Sequence, residues 1–278
     1  MILTFNGKFM SRGLNKVLGY NDPYNPLELP LNTVRVRTSD GNPPTMEPDS
    51  YTSPTFESAT LVPGTTDIYD VYKSGTNFNN LLYSCSNVVE VLGANTANVK
   101  QMFAMFTACT SLISVPLFNT SNVTNMESMF SVTPLTSIPL FDTSSVTNMS
   151  YMFHQCRNLT TVPLFDTSKV TTTAFMFRRC LELTSVPLFD TSSVTDMDSM
   201  FWGCGHLTTV PLFNTSNVTY IHSMFRDCTN IQSGALALYQ QASSQAIPPA
   251  YHDGTFRACG RDTTTGAAEL AQIPSDWK

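Results

Sequence analysis

The chain has 278 residues, a formal net charge of −6 and only 13% charged residues beside 42% hydrophobic ones. That balance removes the electrostatic basis for nucleic-acid binding, which needs a basic stripe to neutralise phosphates. No run approaches the apolar length needed to cross a membrane as a helix, and the opening MILTFNGKFMSRGLNKVLGY lacks the basic segment and apolar core of a secretory leader.

Residues 1–76 form the first expected unit. NTVRVRT (32–38) and TTDIYDVYK (65–73) alternate as half-buried strands do, and NDPYNP, SDGNPP and LVPG punctuate them as turns. A small β-rich domain is expected, acting as a cap over the repeats that follow or as an attachment module.

From 77 to 231 the sequence repeats itself. LTTVPLFDTSKVTTTAFMFRRCLE (159–182) returns as LTSVPLFDTSSVTDMDSMFWGCGH (183–206) and LTTVPLFNTSNVTYIHSMFRDCTN (207–230). Met105, Met129, Met152, Met176, Met200 and Met224, each followed by Phe, recur every 24 residues, with one step of 23 where SVTPLTSIPLF is short by a residue beside Thr133. Units of this length cannot bury an apolar face alone, but a stack of them shares one continuous core. About six such coils are expected. Leu159, Val162 and Leu164 follow the leucine-rich spacing L-x-x-L-x-L. They are expected to point inward from a short strand whose copies form a parallel sheet at a spacing of about 4.8 Å. Met176, Phe177 and Cys180 would close the far side of the coil through a short helical or irregular turn. The proline column, Pro116 to Pro211, removes a row of donors, so these strands must be very short or bend there. The file Phe118, Phe141, Phe165, Phe189 and Phe213 is expected to be buried at a corner of the coil; the alternative is an exposed apolar stripe.

Residues 232–278 close the chain. GALALYQQASSQA (234–246) predicts a helix opening after Gly234 and ending before Pro248, and FRAC (256–259) echoes FRDC (225–228). The tail therefore reads as a terminal capping coil with a helix inserted.

Two files of polar or reactive residues run through the repeats. The seven cysteines are expected to form a column of small buried thiols, because parallel stacking holds their Cβ atoms outside disulfide geometry. CGH (204–206) lacks zinc-ligand spacing. Asp142, Asp166 and Asp190, with Asn119 and Asn214 in the same file, could share a hard cation. Each also opens an F-[DN]-T-S phrase, in which an Asx turn needs that side chain, and the turn is the preferred reading. The four histidines are scattered and no nucleophile or phosphate-loop motif occurs, so no metal, cofactor or catalytic residue is assigned.

FDTSSVTNMSYMFHQC (141–156) and FDTSSVTDMDSMFWGC (189–204) resemble the BspA-like leucine-rich-repeat family of bacterial surface proteins, in its DTS-V-T-x-M and MF-x-x-C subgroup. The resemblance spans a little over half the chain. It implies a right-handed repeat solenoid used for adhesion or recognition without catalysis, normally on an exported protein. The flanks, LPLNTVRVRTSDGNPP and ALALYQQASSQAIPPAYHDGTFRACG, resemble modules that border such repeats in phage and prophage proteins of gut bacteria.

Between coils the core letters hold still and two windows change, one around each cysteine and one before each Met-Phe. Stacking turns these windows into a lane: His154, Arg157, Arg178, Arg179, Trp202, His206 and Arg226. Arg and Trp dominate binding energetics, and an acidic chain that gathers its cations in one lane suits an anionic or sugar ligand. The expected function is a non-enzymatic recognition protein on a virion surface, binding a bacterial surface glycan or protein. Other virion proteins would be held through the N-terminal domain, with self-association as a further expected contact. A bacterial cell-surface adhesin is the alternative.

Overall fold

The alternation of NTVRVRT forms β1 (Thr33–Thr38), with Val34 and Val36 fully buried. A computed structural model describes residues 29–45 and 55–278; the expectations for the first 28 residues and for 46–54 lie outside the described residues. The opposite face of β1 carries Arg35 and Arg37. Arg35 donates twice to Asp70, at 2.7 and 2.9 Å, and Arg37 sits 3.1 Å from Glu90. These pairs fall in register on β3 (Ile68–Tyr72) and β4 (Val88–Asn95), where opposite charges on neighbouring strands support one alignment. With β2 (Ser58–Leu61) the antiparallel sheet has the order β2-β3-β1-β4. Because β4 lies beyond residue 76, the sheet runs into the first repeat, and Glu90 of β4 makes a parallel bridge to Ser114 of the second.

Parallel bridges then join one register position in repeat after repeat: Asn77, Gln101, Asn125, Asn148, Thr172, Asp196, Tyr220 and finally Tyr251. The ladder is densest in the segment before each cysteine. The N–H groups of Met149, Tyr151, Phe153 and Gln155 donate to the carbonyls of Thr172, Ala174, Met176 and Arg178 in the next repeat, at 2.8–3.2 Å. The intervening N–H groups of Met152, His154 and Cys156 close turns within their own repeat. That alternation requires two left-handed residues per repeat: Tyr151 and Gln155 (φ 58° and 57°), Phe175 and Arg179 (both 60°), Ser199 and Gly203 (52° and 78°). A non-glycine residue there costs about 1–2 kcal/mol. The ladder bonds to both neighbouring repeats hold it in place.

Two features expected at Leu159–Leu164 differ. Among the described residues no strand runs between 96 and 231, and in the middle repeats that side is joined by one longer backbone bond each, such as Thr184 N to Thr160 O at 3.4 Å, with paired bonds and parallel bridges only at the two ends, Glu90 to Ser114 and Thr209 to Ser233. Leu164 does not point inward; it is 59% exposed, whereas Phe165 is 2% exposed. The cause is the proline. Phe141 and Phe213 donate to the carbonyls of Pro139 and Pro211, two residues back, so the chain turns tightly over the intervening leucine and puts it at the tip. Leu117, Leu140, Leu164, Leu188 and Leu212 are thus the exposed file, and the phenylalanines they precede are buried.

Those phenylalanines interleave with the Met-Phe file. Phe153, Phe177, Phe201 and Phe225 stack at 5.1–5.5 Å, and Phe165, Phe189 and Phe213 lie 6.1–6.2 Å from them. Met, Leu and Val files complete the core. The threonines of the D-T-S phrase, although polar, are buried because each has a partner: Thr143 and Thr167 donate to the carbonyls of Asp166 and Asp190 in the next repeat, at 2.8 and 2.7 Å.

At the C-terminal end α1 (Ala235–Ser243) is inserted where the helix was expected, after Gly234. Gly234 has φ 97°, and a Cβ there would lie 2.3 Å from the Val210 carbonyl oxygen. Residues 251–259 then rejoin the ladder, Phe225 N donating to Thr255 O at 2.8 Å. A second helix, α2 (Thr264–Gln272), was not foreseen; its Glu269 carboxylate accepts from the N–H groups of Gly234 and Leu236 at the start of α1. Trp277 finishes the stack against His252 and Phe256, with ring centroids 4.3 and 6.3 Å away.

Candidate functional site

The segment that forms the ladder also decides which side chains face outward. In each repeat the Phe of Met-Phe and the cysteine are buried, so the residue two before the cysteine is displayed. His154, Arg178, Trp202 and Arg226 all occupy that register position, and the ladder stacks their backbones. Arg257 continues the file in the capping repeat; the sequence echo FRAC signalled it, but it was not among the expected lane residues.

The side chains make one contiguous surface. The Arg178 guanidinium lies 4.0 Å from the Trp202 ring centroid and that of Arg226 lies 4.6 Å from it, so cations from the repeats before and after contact the indole. Trp202 Nε1 donates to Asp227 at 3.1 Å, and Asp227 is 3.6 Å from Arg226. Tyr151 stacks on Phe175 at 4.6 Å and meets the His154 ring edge-on at 5.6 Å; Phe175 lies 5.6 Å from the Arg178 guanidinium. Tyr151 and Phe175 stand in the window before Met-Phe, whose variability marked them, and the structure adds them to the site.

The electrostatics are unbalanced. Burial first, then the charges of Arg178 and Arg179, push the His154 imidazole down to about 4, so it is neutral at pH 7. Burial and then the charge of Arg179 also lower Arg178. Among the described residues neither Arg178 nor Arg179 pairs with a carboxylate, and the buried Arg178 Nε has no hydrogen-bond partner. Arg179 is exposed, its stem against Gly203, where a Cβ would come within 3.3 Å.

Two expected lane residues stand apart. His206 pairs with Glu182 at 3.2 Å, one repeat earlier, on the loop after the cysteine. Arg157, also after its cysteine, donates to Gln155 at 3.3 Å and borders a cleft with Pro134 and Asn158. Of the other histidines, His222 lies between Asp198 and Asp253, at 3.3 and 3.2 Å.

The reactive-looking files have structural partners. Each thiol of Cys156, Cys180, Cys204 and Cys228 donates to the carbonyl of the Met-Phe phenylalanine one repeat back, at 3.0–3.1 Å. Burial pushes Cys204 up to about 12. In the acidic file, Asp142 and Asp166 each accept from the N–H and hydroxyl of the serine two residues on, at 2.7–3.1 Å, the geometry of an Asx turn. Those bonds hold Asp166 below the usual carboxylate range.

A family described as "Mycoplasma protein of unknown function, DUF285" matches residues 54–137, 102–203 and 132–238. No curated protein matches the chain. No solved structure matches it.

Proposed function

We propose that this chain, which belongs to the Mycoplasma protein of unknown function family DUF285 and is BspA-like in its repeats, is a non-enzymatic recognition protein whose displayed file binds an anionic surface ligand. In this reading the repeats wind as a right-handed, leucine-rich-repeat-like solenoid of about six coils between a β-rich N-terminal cap and a helical C-terminal cap. The parallel bridges at one register position in successive repeats support it. The N-terminal sheet attaches the protein to a phage particle, and the solenoid presents its loops to a glycan or protein on the bacterial surface.

One observation carries the ligand assignment: Arg178 and Arg179 repel each other beside an aromatic bed, and among the described residues neither forms an ion pair, Asp198 acting on Arg178 only from beyond contact distance, in a chain of net charge −6. An anion laid along the file relieves that repulsion and gains charge-assisted hydrogen bonds from planar guanidinium forks. The indole faces are occupied by Arg178 and Arg226, so Trp202 acts by holding the two cations rather than by stacking on a sugar.

The test is binding of the full chain to an immobilised polyanionic capsular polysaccharide, with a neutral polysaccharide as reference. Arg178→Ala is expected to weaken polyanion binding by about tenfold, the loss of one charge-assisted contact. Unchanged affinity in that variant, or equal binding to the neutral polymer, would remove the file as the recognition surface.

A further inference from the structure

The single 23-residue step leaves a mark on the surface. In regular repeats the cysteine and the following leucine are separated by two residues, and the leucine N–H closes a turn on the cysteine carbonyl, as Leu159 does to Cys156 at 3.2 Å. In the short repeat Thr133 takes the cysteine's place and Pro134 alone separates it from Leu135. That turn cannot form. Thr133 instead donates its hydroxyl to the Phe130 carbonyl at 2.8 Å. At this shortened loop a cleft of about 260 Å³ lies between Thr110 of the preceding repeat and Arg157 and Asn158 of the following one.

The lining is mixed. Val132 and Pro134 supply an apolar floor, Val132 being held at φ 59° by the same kind of ladder bond, to the His154 carbonyl at 2.8 Å, that fixes Gln155 and Arg179 in the following repeats. Gln155, Arg157 and Asn158 supply polar groups along one wall. Arg157 is exposed, with one bond spent on Gln155 and no carboxylate partner among the described residues.

We propose that the cleft at the short repeat, between Pro134 and Arg157, is a separate site for one acidic monosaccharide unit, its carboxylate on the Arg157 guanidinium and its ring over Pro134. The volume suits a single sugar ring rather than a chain, and the combination of an apolar floor with few convergent polar groups is that of a small-ligand site. The guanidinium fork selects a planar carboxylate. Gln155 and Asn158 offer both donors and acceptors to ring hydroxyls. The site rests on the recognition reading above and gives it a terminal-sugar specificity that the open file does not supply.

The probe is sodium glucuronate, with glucose as its neutral counterpart, titrated into the full chain and followed by amide chemical shifts. Saturable shifts at Thr133–Leu135 and Gln155–Asn158 are expected with glucuronate, with glucose at least tenfold weaker, as the loss of a charge-assisted fork implies. Arg157→Ala is expected to abolish them. Insertion of one Asn between Pro134 and Leu135 restores the regular loop length, keeps Arg157 and is also expected to abolish them, whereas Arg178→Ala leaves them intact. Equal shifts from glucose, or binding that survives the insertion, overturns the site. If glucuronate does not bind while polyanion binding still depends on Arg178, the cleft proposal fails and the recognition file stands.

Discussion

Trp277 offers a direct test of how stability is distributed along the stack. It is 4% exposed, its carbonyl accepts from Phe256 N at 2.9 Å, and its ring covers His252 and Phe256 and meets Tyr239 edge-on at 5.3 Å. Burying roughly 200 Å² of ring at about 25 cal/mol/Å² is worth about 5 kcal/mol. The extended-chain reference makes that an upper figure, so Trp277→Ala is expected to cost about 3–5 kcal/mol. In a stack where each repeat touches only its neighbours, the loss stays local. Amide hydrogen exchange should lose protection over residues 251–277 and fade into the adjacent repeat, leaving Phe153 and Met176 protected. Phe177→Ala is the matched control. Its ring contacts Phe153, Phe189 and Phe201 at 5.4–6.2 Å, so a similar cost there falls on both sides and should lower protection in the repeats before and after it, fading in both directions. Uniform loss of protection in Trp277→Ala, equal at Phe153 and Phe256, would refute nearest-neighbour coupling.

Thr167→Val keeps shape but deprives the Asp190 carbonyl of its donor, and a destabilisation of about 1–3 kcal/mol is expected by urea denaturation. Asp166→Asn keeps an acceptor for Ser168 and should stay within about 0.5 kcal/mol of the parent. The buried thiols should resist Ellman's reagent in the native protein and react fully in denaturant, because Cys204, pushed up to about 12, carries almost no thiolate at pH 8. His154 gives a pH dependence of definite sign. Its folded value, about 4, lies below the ordinary 6.5, so the unfolded chain takes up the proton first; stability is complete above pH 6.5 and falls as pH drops toward 4. His154→Gln should flatten that acid-side slope, and saturation with a polyanion should move the imidazole titration upward in NMR.

The period, the buried thiols, β1, β3 and the inserted helix were all legible, because each rests on spacing or on a local propensity that the tertiary structure did not override. Which residue of P-L-F faces inward was not. Leucine-rich spacing predicts Leu164 in the core, but it assumes an extended strand; the structure exposes Leu164 and buries Phe165 instead, and in the equivalent Pro139–Phe141 and Pro211–Phe213 segments a tight turn from the proline carbonyl makes that exchange. The left-handed residues were equally hidden. Tyr151, Phe175 and Arg179 carry none of the glycine signal by which such positions are usually read, since ladder bonds across repeats, rather than local preference, hold them there. α2 was missed because TTGAAELAQ has no strong apolar periodicity; its role is carried by Gly266, packed against the Ile231 carbonyl, and by Glu269 at the start of α1.

The lane was legible as a set of variable letters, and the structure sorts that set by offset from the cysteine. Residues two before it fall in one file and touch; residues one or two after it, Arg157 and His206, belong to another loop and find other partners. Variation at the first offset is cheap for a physical reason. The backbone there is fixed by ladder bonds from N–H and C=O groups that every residue except proline supplies, so His, Arg and Trp can be exchanged without altering the stack. The segment that binds one repeat to the next is therefore also the one that tolerates change on its outer face. The recognition surface proposed above therefore needs no loop of its own: each repeat can present a different side chain at that offset, while the buried Phe and Cys files set the spacing between successive displayed residues.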